Sequence, residues 1–407
     1  MNQRSLTILT VIAVLTSACS SGVTAPPATG WLGGEPEWRN LSLDAYGGVS
    51  LAEVAPGAIG SVDGLDGGRR LGLRAGAVDD NAAWDDYLLY RQRFLESGIE
   101  AHDVDVSGRR IVTVTRTDGS PVLGAAVTLL DAGGAVVAGA LTTSDGTARL
   151  FPVGDIGGMT ISAAVGGESA STALDEGARE HHLTLDAPPS PSPIALDVLF
   201  LIDVTGSMGD EIDRLKATVE TIAERIDALD TETDLRLAMT VYRDRGDSFV
   251  ARTFEFTPDV AAFATALAAV TADGGGDYPE SLNEGLHEAV HAPEWRVEDA
   301  VGLIFLIADA PPVLTYQDDF DYAVEMLAAA ERGITIYPIA SSGLDDQGEY
   351  VFRQLAQATG GRFVFLTYGA GGGSGDETTH HVDDYSVLSL DDLVVTIVED
   401  TLAPLEG

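Results

Sequence analysis

The clearest order in this chain is the spacing of its apolar residues over the last 210 positions. Residues 196–202 form a continuous apolar run, the pattern of a strand buried on both faces. Directly after it, Ile212, Leu215, Val219, Ile222, Ile226 and Leu229 recur three and four positions apart, which predicts an amphipathic helix over 210–229. Strands follow over 235–242 and 249–256. Thr257, read as an N-cap with Pro258 at the first helical position, opens a helix to 270. Pro279 sits in the first turn of another helix that runs to about 292. A strand over 301–308, a helix over 318–332, a strand over 334–339, a helix over 350–359 stopped by Gly360-Gly361 and a strand over 362–366 continue the alternation. Ser389 followed by Asp392 suggests a capping box for a last helix carrying Leu393, Val394, Ile397 and Thr401. Apolar strands alternating with amphipathic helices predict a doubly wound α/β fold: a mostly parallel sheet covered on both faces, with ligands bound beyond the carboxyl ends of its strands.

Upstream the period changes to two. Residues 108–186 hold short β-branched runs broken by Asp118-Gly119, Gly133-Gly134 and Asp145-Gly146, which predicts the hairpins of a small all-β sandwich. The run TDGSPVLGAAVTLLD…TTSDGTARLF is similar to carboxypeptidase-regulatory-like or bacterial Ig-like modules, which implies a spacer or weak binding domain. A Pro-rich linker, 187–195, is expected to hold the following domain at arm's length. Within 41–107 one helix is predicted at 82–96, with Trp84, Tyr87, Leu88, Arg91 and Phe94 near one face and Asp80 or Asn81 as its cap. Residues 20–40 are small and rich in Gly and Pro, as in a tether.

The first residues carry an address. Arg4 precedes a ten-residue apolar stretch, 6–15, too short to span a bilayer, and then TSAC ending at Cys19. This resembles a bacterial lipoprotein signal, which implies that Cys19 is lipidated. Thr16 stands where that signal usually has Leu, and an ordinary secretory signal cleaved nearby is the alternative. Both readings imply export. Cys19 is the only cysteine of the 407 residues, so an intrachain disulfide and a Cys-based zinc site are excluded.

Charge narrows the partners. Asp and Glu number 64 against 23 Lys and Arg, a net −41, and Lys216 is the only lysine. Such a surface repels phosphate backbones, which excludes nucleic acid as a partner, and attracts cations. It also suits a salty habitat.

Candidate cation donors lie at the ends of the predicted strands. In LFLIDVTGSMGDEI, Asp203 ends the first strand of the sheet, and Thr205 and Ser207 follow at every second position; Asp309 ends a later strand in LIFLIADAPP. The loop TADGGGDYPES supplies Asp277 among glycines. Carboxylate and hydroxyl oxygens suit Mg2+, Ca2+ or Mn2+, with no nitrogen or sulfur required. Helix capping without a metal is the alternative. The string IDVTGSM resembles the first motif of the metal-ion-dependent adhesion site of von Willebrand factor type A domains, normally Asp-x-Ser-x-Ser, with Thr205 in place of the first serine. The α/β order and Asp309 match that family's fold and third motif over roughly 196–405. At the second motif many members offer a threonine where this chain offers GGGDYPE, so that role is carried to Asp277. The resemblance implies direct binding by the hydroxyls, aspartates acting partly through water, Mg2+ as the favoured ion, and one open coordination position filled by an acidic residue of a partner protein.

Three further strings resemble known motifs. His287-Glu288-Ala289-Val290-His291 is a literal HExxH, the zinc-peptidase pattern, but helical spacing sets both histidines opposite the apolar face, as on a solvated surface. Arg245-Gly246-Asp247-Ser248 reads as a loop rather than an adhesion ligand. His380-His381 is expected at the surface, with a second ion held with Asp376 or Asp383 as the alternative. Together these readings describe an exported, lipid-anchored surface protein of the cell envelope that binds a protein partner through a divalent cation and is not an enzyme. The alternatives are a zinc-dependent peptidase through residues 287–291 and an envelope scaffold whose metal is purely structural.

Overall fold

The computed structural model describes residues 73–190, 192–210, 212–276, 278–297, 299–367, 380–382 and 385–406. Cys19, the tether 20–40, residues 41–72 and Asp277 lie outside the described residues. In chain order the elements are β1 (Arg74–Val78), α1 (Trp84–Ser97), β2 (Arg110–Thr115), β3 (Ala126–Leu130), β4 (Val136–Leu141), β5 (Thr147–Leu150), β6 (Thr160–Val165), β7 (Glu168–Ala173), β8 (Glu180–Thr184), β9 (Ile194–Asp203), α2 (Ile212–Asp227), β10 (Thr233–Tyr242), β11 (Ala251–Thr257), α3 (Val260–Ala268), α4 (Leu282–His291), β12 (Ala300–Ala308), α5 (Tyr322–Glu331), β13 (Ile334–Ala340), α6 (Asp346–Thr359), β14 (Phe363–Thr367), β15 (Leu388–Ser389) and α7 (Leu390–Leu402).

The α/β part is one eight-stranded sheet in the order β11-β10-β9-β12-β13-β14-β1-β15. From β10 to β14 neighbouring strands run parallel; β11 at one edge, and β1 and β15 at the other, run antiparallel. The central strands β9 and β12 are buried almost throughout. Helices cover both faces, and two apolar clusters result. One packs α2, α3 and α7 against Phe200, Val198 and Phe305; the other packs α1, α4, α5 and α6 against Leu199, Leu201 and Ile304.

Strand β1 is the main difference from the sequence reading, which began the α/β region at 196 and found only a helix within 41–107. Arg74–Val78 pairs with Phe363–Thr367 and so completes that edge of the sheet. Helix α1 docks beside it: Phe94 stacks on Tyr350 of α6 with ring centroids 3.8 Å apart, and Tyr90 carries the guanidinium of Arg353 at 3.7 Å. A five-residue strand is too short to show a period, which is why pattern reading passed over it. Asp80 does not cap α1. It binds Arg353, and the N-cap position falls to Ala83 without a side-chain bond, while Asp79 accepts from the amides of Asn81 and Ala82.

Between β1–α1 and β9 the chain makes two small sheets, β5-β2-β8 and β4-β3-β6-β7. Val112, Val114, Leu150 and Leu183 from one and Val127, Leu129, Ile161 and Ala163 from the other belong to a single apolar core. The turns follow from local chemistry. Asp118, Asp131 and Asp145 each accept amide hydrogens two residues on, and Gly119, Gly134 and Gly146 take the positive φ the turns need. These sheets are not held away from the α/β part. Gly333, just before β13, packs on Leu141, and Gly360, just before β14, packs on Arg149. The linker is tied back as well, with Arg116 donating to the Pro188 carbonyl at 2.7 Å. A segment whose two ends both return to one sheet is docked by its connections.

Several helix starts also shift. Asp259, not Thr257, caps α3, accepting from Ala262 N, and α4 begins at Leu282, after Pro279. Ser389 does cap α7, accepting from Asp392 N at 3.3 Å. Among the described residues no helix is long and apolar enough to cross a membrane.

Candidate metal centre

The candidate centre sits beyond the carboxyl ends of β9 and β12, the edge opposite the small sheets. Asp203 is the last residue of β9 and is fully buried. The chain does not stay extended past it. Asp203 Oδ1 accepts from both Thr205 N (2.9 Å) and Thr205 Oγ1 (2.7 Å), closing a tight turn that leads into a 3-10 turn over Gly206–Asp210. That turn keeps the hydroxyls together: Thr205 Oγ1 lies 3.1 Å from Ser207 Oγ, and Ser207 Oγ donates to Asp309 Oδ1 at 3.2 Å. Asp309 directly follows β12. Four oxygen-bearing side chains from two distant segments thus form one continuous string, from the buried Asp203 through Thr205 and the exposed Ser207 to Asp309.

The electrostatics of the string are unfavourable as it stands. Burial, and then the charge of Asp309, push Asp203 up to about 7, against the easing effect of Thr205 and the Tyr242 hydroxyl. The second oxygen of Asp203 and the Tyr242 hydroxyl are buried beside each other, and the hydroxyl eases the carboxylate without a well-formed hydrogen bond. An orphaned buried carboxylate oxygen costs on the order of 1–3 kcal/mol or more.

A glycine loop roofs the centre. Gly206 N donates to Gly274 O at 2.9 Å, and Asp273 N to Val204 O at 3.0 Å. At Gly275, φ is +64°, and a Cβ there would come within 2.6 Å of Glu280 Oε1 and 3.1 Å of Thr205 Cβ, so only glycine fits. Asp247, the aspartate of the RGDS string, holds this loop by accepting from Gly275 N at 2.8 Å. Arg245 of the same string is occupied inside the molecule, by Glu284, Asp319 and the face of Tyr316. The string is therefore a support for the loop.

Sequence reasoning missed the acidic and hydroxyl residues beside the roof. Glu280 is buried next to Gly275 and tied by its backbone to Pro311 and Val313, in the loop after Asp309. Asp244, also buried, accepts from Ser281 Oγ at 2.7 Å. A signal for Asp244 existed: it follows β10 closely, as Asp203 and Asp309 follow β9 and β12.

Residues 197–368 match the family model described as von Willebrand factor A domain. This part of the chain is a von Willebrand factor A domain. Two curated proteins are similar over part of their lengths. The alpha-protein kinase vwkA of Dictyostelium discoideum is 28% identical over 117 residues, 28% of this chain and 18% of that protein. The putative ariadne-like RING finger protein R811 of Acanthamoeba polyphaga mimivirus is 22% identical over 187 residues, 42% of this chain and 18% of that protein. The chain thus spans less than a fifth of either relative's length. Among solved structures, proximal thread matrix protein 1 from the mussel byssus is similar with a TM-score of 0.36 and 16% identity, over 51% of this chain and 45% of that one. A second structure of the same mussel protein, with a zinc-occupied MIDAS motif, gives a TM-score of 0.30 and 20% identity over 39% and 40% of the two chains.

A divalent cation is the group this family implies, and the residues present fit it. The donors are oxygens alone, the carboxylates crowd one another, and a buried oxygen of Asp203 has no well-formed hydrogen bond.

Each histidine string keeps one ring at the surface, as expected, His291 and His381, yet both strings also meet a buried carboxylate. His287 and His291 bind the buried Glu325 of α5, at 2.9 and 2.7 Å. His380 and His381 both approach the buried Glu349 of α6, which also binds Arg353. Asp376 and Asp383, offered as partners for the latter pair, lie outside the described residues. In each case a buried carboxylate from a neighbouring helix, invisible to local periodicity, recruits the imidazoles.

Proposed function

We propose that this chain binds a partner protein through a divalent cation held in its A domain, and that it is not an enzyme. The observation that carries this is the string Asp203–Thr205–Ser207–Asp309 with its orphaned buried oxygen, at the sheet edge where α/β folds bind ligands. Mg2+ is the favoured ion, with Ca2+ or Mn2+ as alternatives, and Asp277 of the glycine loop is the further donor. The cation supplies positive charge to an acidic side chain of the partner. The chain's own residues fix the donors, the buried Asp203 and Thr205 at the base and Ser207 at the mouth. Without such a charge, a molecule carrying −41 would repel an acidic partner.

We further propose export with lipidation at Cys19; the chain then enters the main sheet at β1 before it makes the two small sheets, so these dock against the A domain and do not space it from the anchor. The support is the sequence alone, Arg4, the apolar stretch 6–15 and the small residues before Cys19.

Pull-down from envelope extracts with and without EDTA, beside thermal melts, tests the binding reading. Loss of the partner with little change in melting temperature is expected; a large fall in melting temperature with the partner retained identifies a structural metal instead. Asp203→Asn removes a buried charge, so it is expected to raise the stability of the chelated protein and to abolish its response to millimolar Mg2+. A variant that still responds to Mg2+ as the parent does would falsify the donor assignment.

A further inference from the structure

The histidines of the HExxH string are partly solvated, and on their inner side they meet a third potential ligand. Residues four apart on a helix lie one above the other, so α4 sets His287 and His291 side by side, with ring centroids 4.6 Å apart. Glu325 reaches them from the adjacent helix α5, one carboxylate oxygen to His287 Nδ1 and the other to His291 Nε2. The three potential ligand atoms all lie within 4.8 Å of one another.

The supporting structure fixes this geometry. Phe320 stacks flat on His287, with centroids 3.5 Å apart and planes 6° apart, which sets the ring's orientation. Glu325 is 6% exposed and has its carboxylate directed at the two rings, while the histidine side chains are 31% and 38% exposed. An ion would therefore have a rigid, buried carboxylate behind it and solvent in front. Asn283 joins the two helices near the same place, accepting from Tyr322 N and donating to Asp319.

We propose that His287, His291 and Glu325 form a second metal site, specific for a borderline transition-metal ion, with Zn2+ first. Two imidazole nitrogens and one carboxylate oxygen, with a fourth position open to water, are a donor set that zinc accepts and that Mg2+ and Ca2+ do not favour. The site is separate in chemistry and position from the oxygen-only string at Asp203. Its role is to clamp α4 to α5. The first of these helices begins next to Glu280 and Ser281, so the clamp steadies the wall of the candidate partner site.

The test uses the full chain, stripped with a chelator and titrated with Zn2+ in the presence of millimolar Mg2+. It is run in the parent and in an Asp203→Asn/Asp309→Asn background, so that the outcome does not depend on the oxygen site. One zinc equivalent is expected in both, and its loss is expected in His287→Gln/His291→Gln. Co2+ in place of zinc is expected to give visible absorption bands that disappear in the same variant. Because His291 is at the surface, His291→Asn is the variant that keeps the fold. It is expected to weaken zinc binding by at least the ~10–100-fold that loss of a supporting partner costs at metal sites. No zinc equivalent in the Asp203→Asn/Asp309→Asn background, or an affinity unchanged in folded His291→Asn, overturns the proposal.

Discussion

Buried carboxylates decide most of this molecule's chemistry at the scale of single residues. Asp197 is met by the guanidinium groups of both Arg236 and Arg296, and Asp80 by Arg353. Glu349 shows the sign of such pairing. Burial alone would push its carboxyl up, but His380, the His381 amide and Arg353 outweigh that and hold it at about 2, below its ordinary 4.5. A depressed carboxylate contributes stability above its unfolded value and loses it as pH falls toward the folded one. Glu349→Gln is therefore expected to destabilise the protein by up to about 3 kcal/mol at neutral pH. The gap between variant and parent is expected to shrink from pH 4.5 down to about 2, as read from urea midpoints across that range. Asp203 is the contrasting case, with a neighbouring carboxylate in place of a cation and a value pushed up to about 7.

At the scale of elements, the first described strand and helix are the ones that matter beyond their length. β1 completes an edge of the main sheet, and α1 seals it by setting Tyr87, Tyr90 and Phe94 into the core shared with α6. Phe94→Ala is expected to cost about 3–5 kcal/mol, the usual range for an aromatic removed from a packed core. It is expected to lower the midpoint of the whole α/β transition in circular dichroism, because β1 is part of that sheet. A separate early transition with an unchanged main midpoint would show that the segment folds as an appendage. The local rules that set helix starts worked where the capping side chain was the nearest candidate, as at Ser389. They slipped where two stood together, as at Thr257 and Asp259, because the tertiary path of the loop decides which one reaches the amide.

At the scale of the whole molecule, one end of the sheet carries the small sheets and the other the candidate metal centre. Gly333 and Gly360 let the small sheets pack closely under the amino ends of β13 and β14, while Asp203, Asp309 and the glycine roof occupy the carboxyl ends of β9 and β12. A net −41 spread over one lysine and 22 arginines against 64 acidic residues sets up strong self-repulsion. Added monovalent salt shortens the range of that repulsion, to about 3 Å at 1 M. The melting temperature is expected to rise with salt even in the presence of chelator; a flat or falling profile would show that the surface charges are already neutralised in place.

The sequence by itself determined what depends on local spacing. It determined the alternation that makes a doubly wound sheet, the turns of the small sheets, and the places of Asp203, Thr205 and Ser207 at one strand end and of Asp309 at another. Apolar period and short-range hydrogen bonding act within a few residues, so they can be read along the chain. Only the tertiary structure decided that Arg74–Val78 belongs to the main sheet, that Glu280 and Asp244 stand beside the glycine roof, and that Glu325 and Glu349 draw in the two histidine pairs. Those placements come from contacts between segments tens to hundreds of residues apart, where the energy of pairing a buried charge outweighs any local preference.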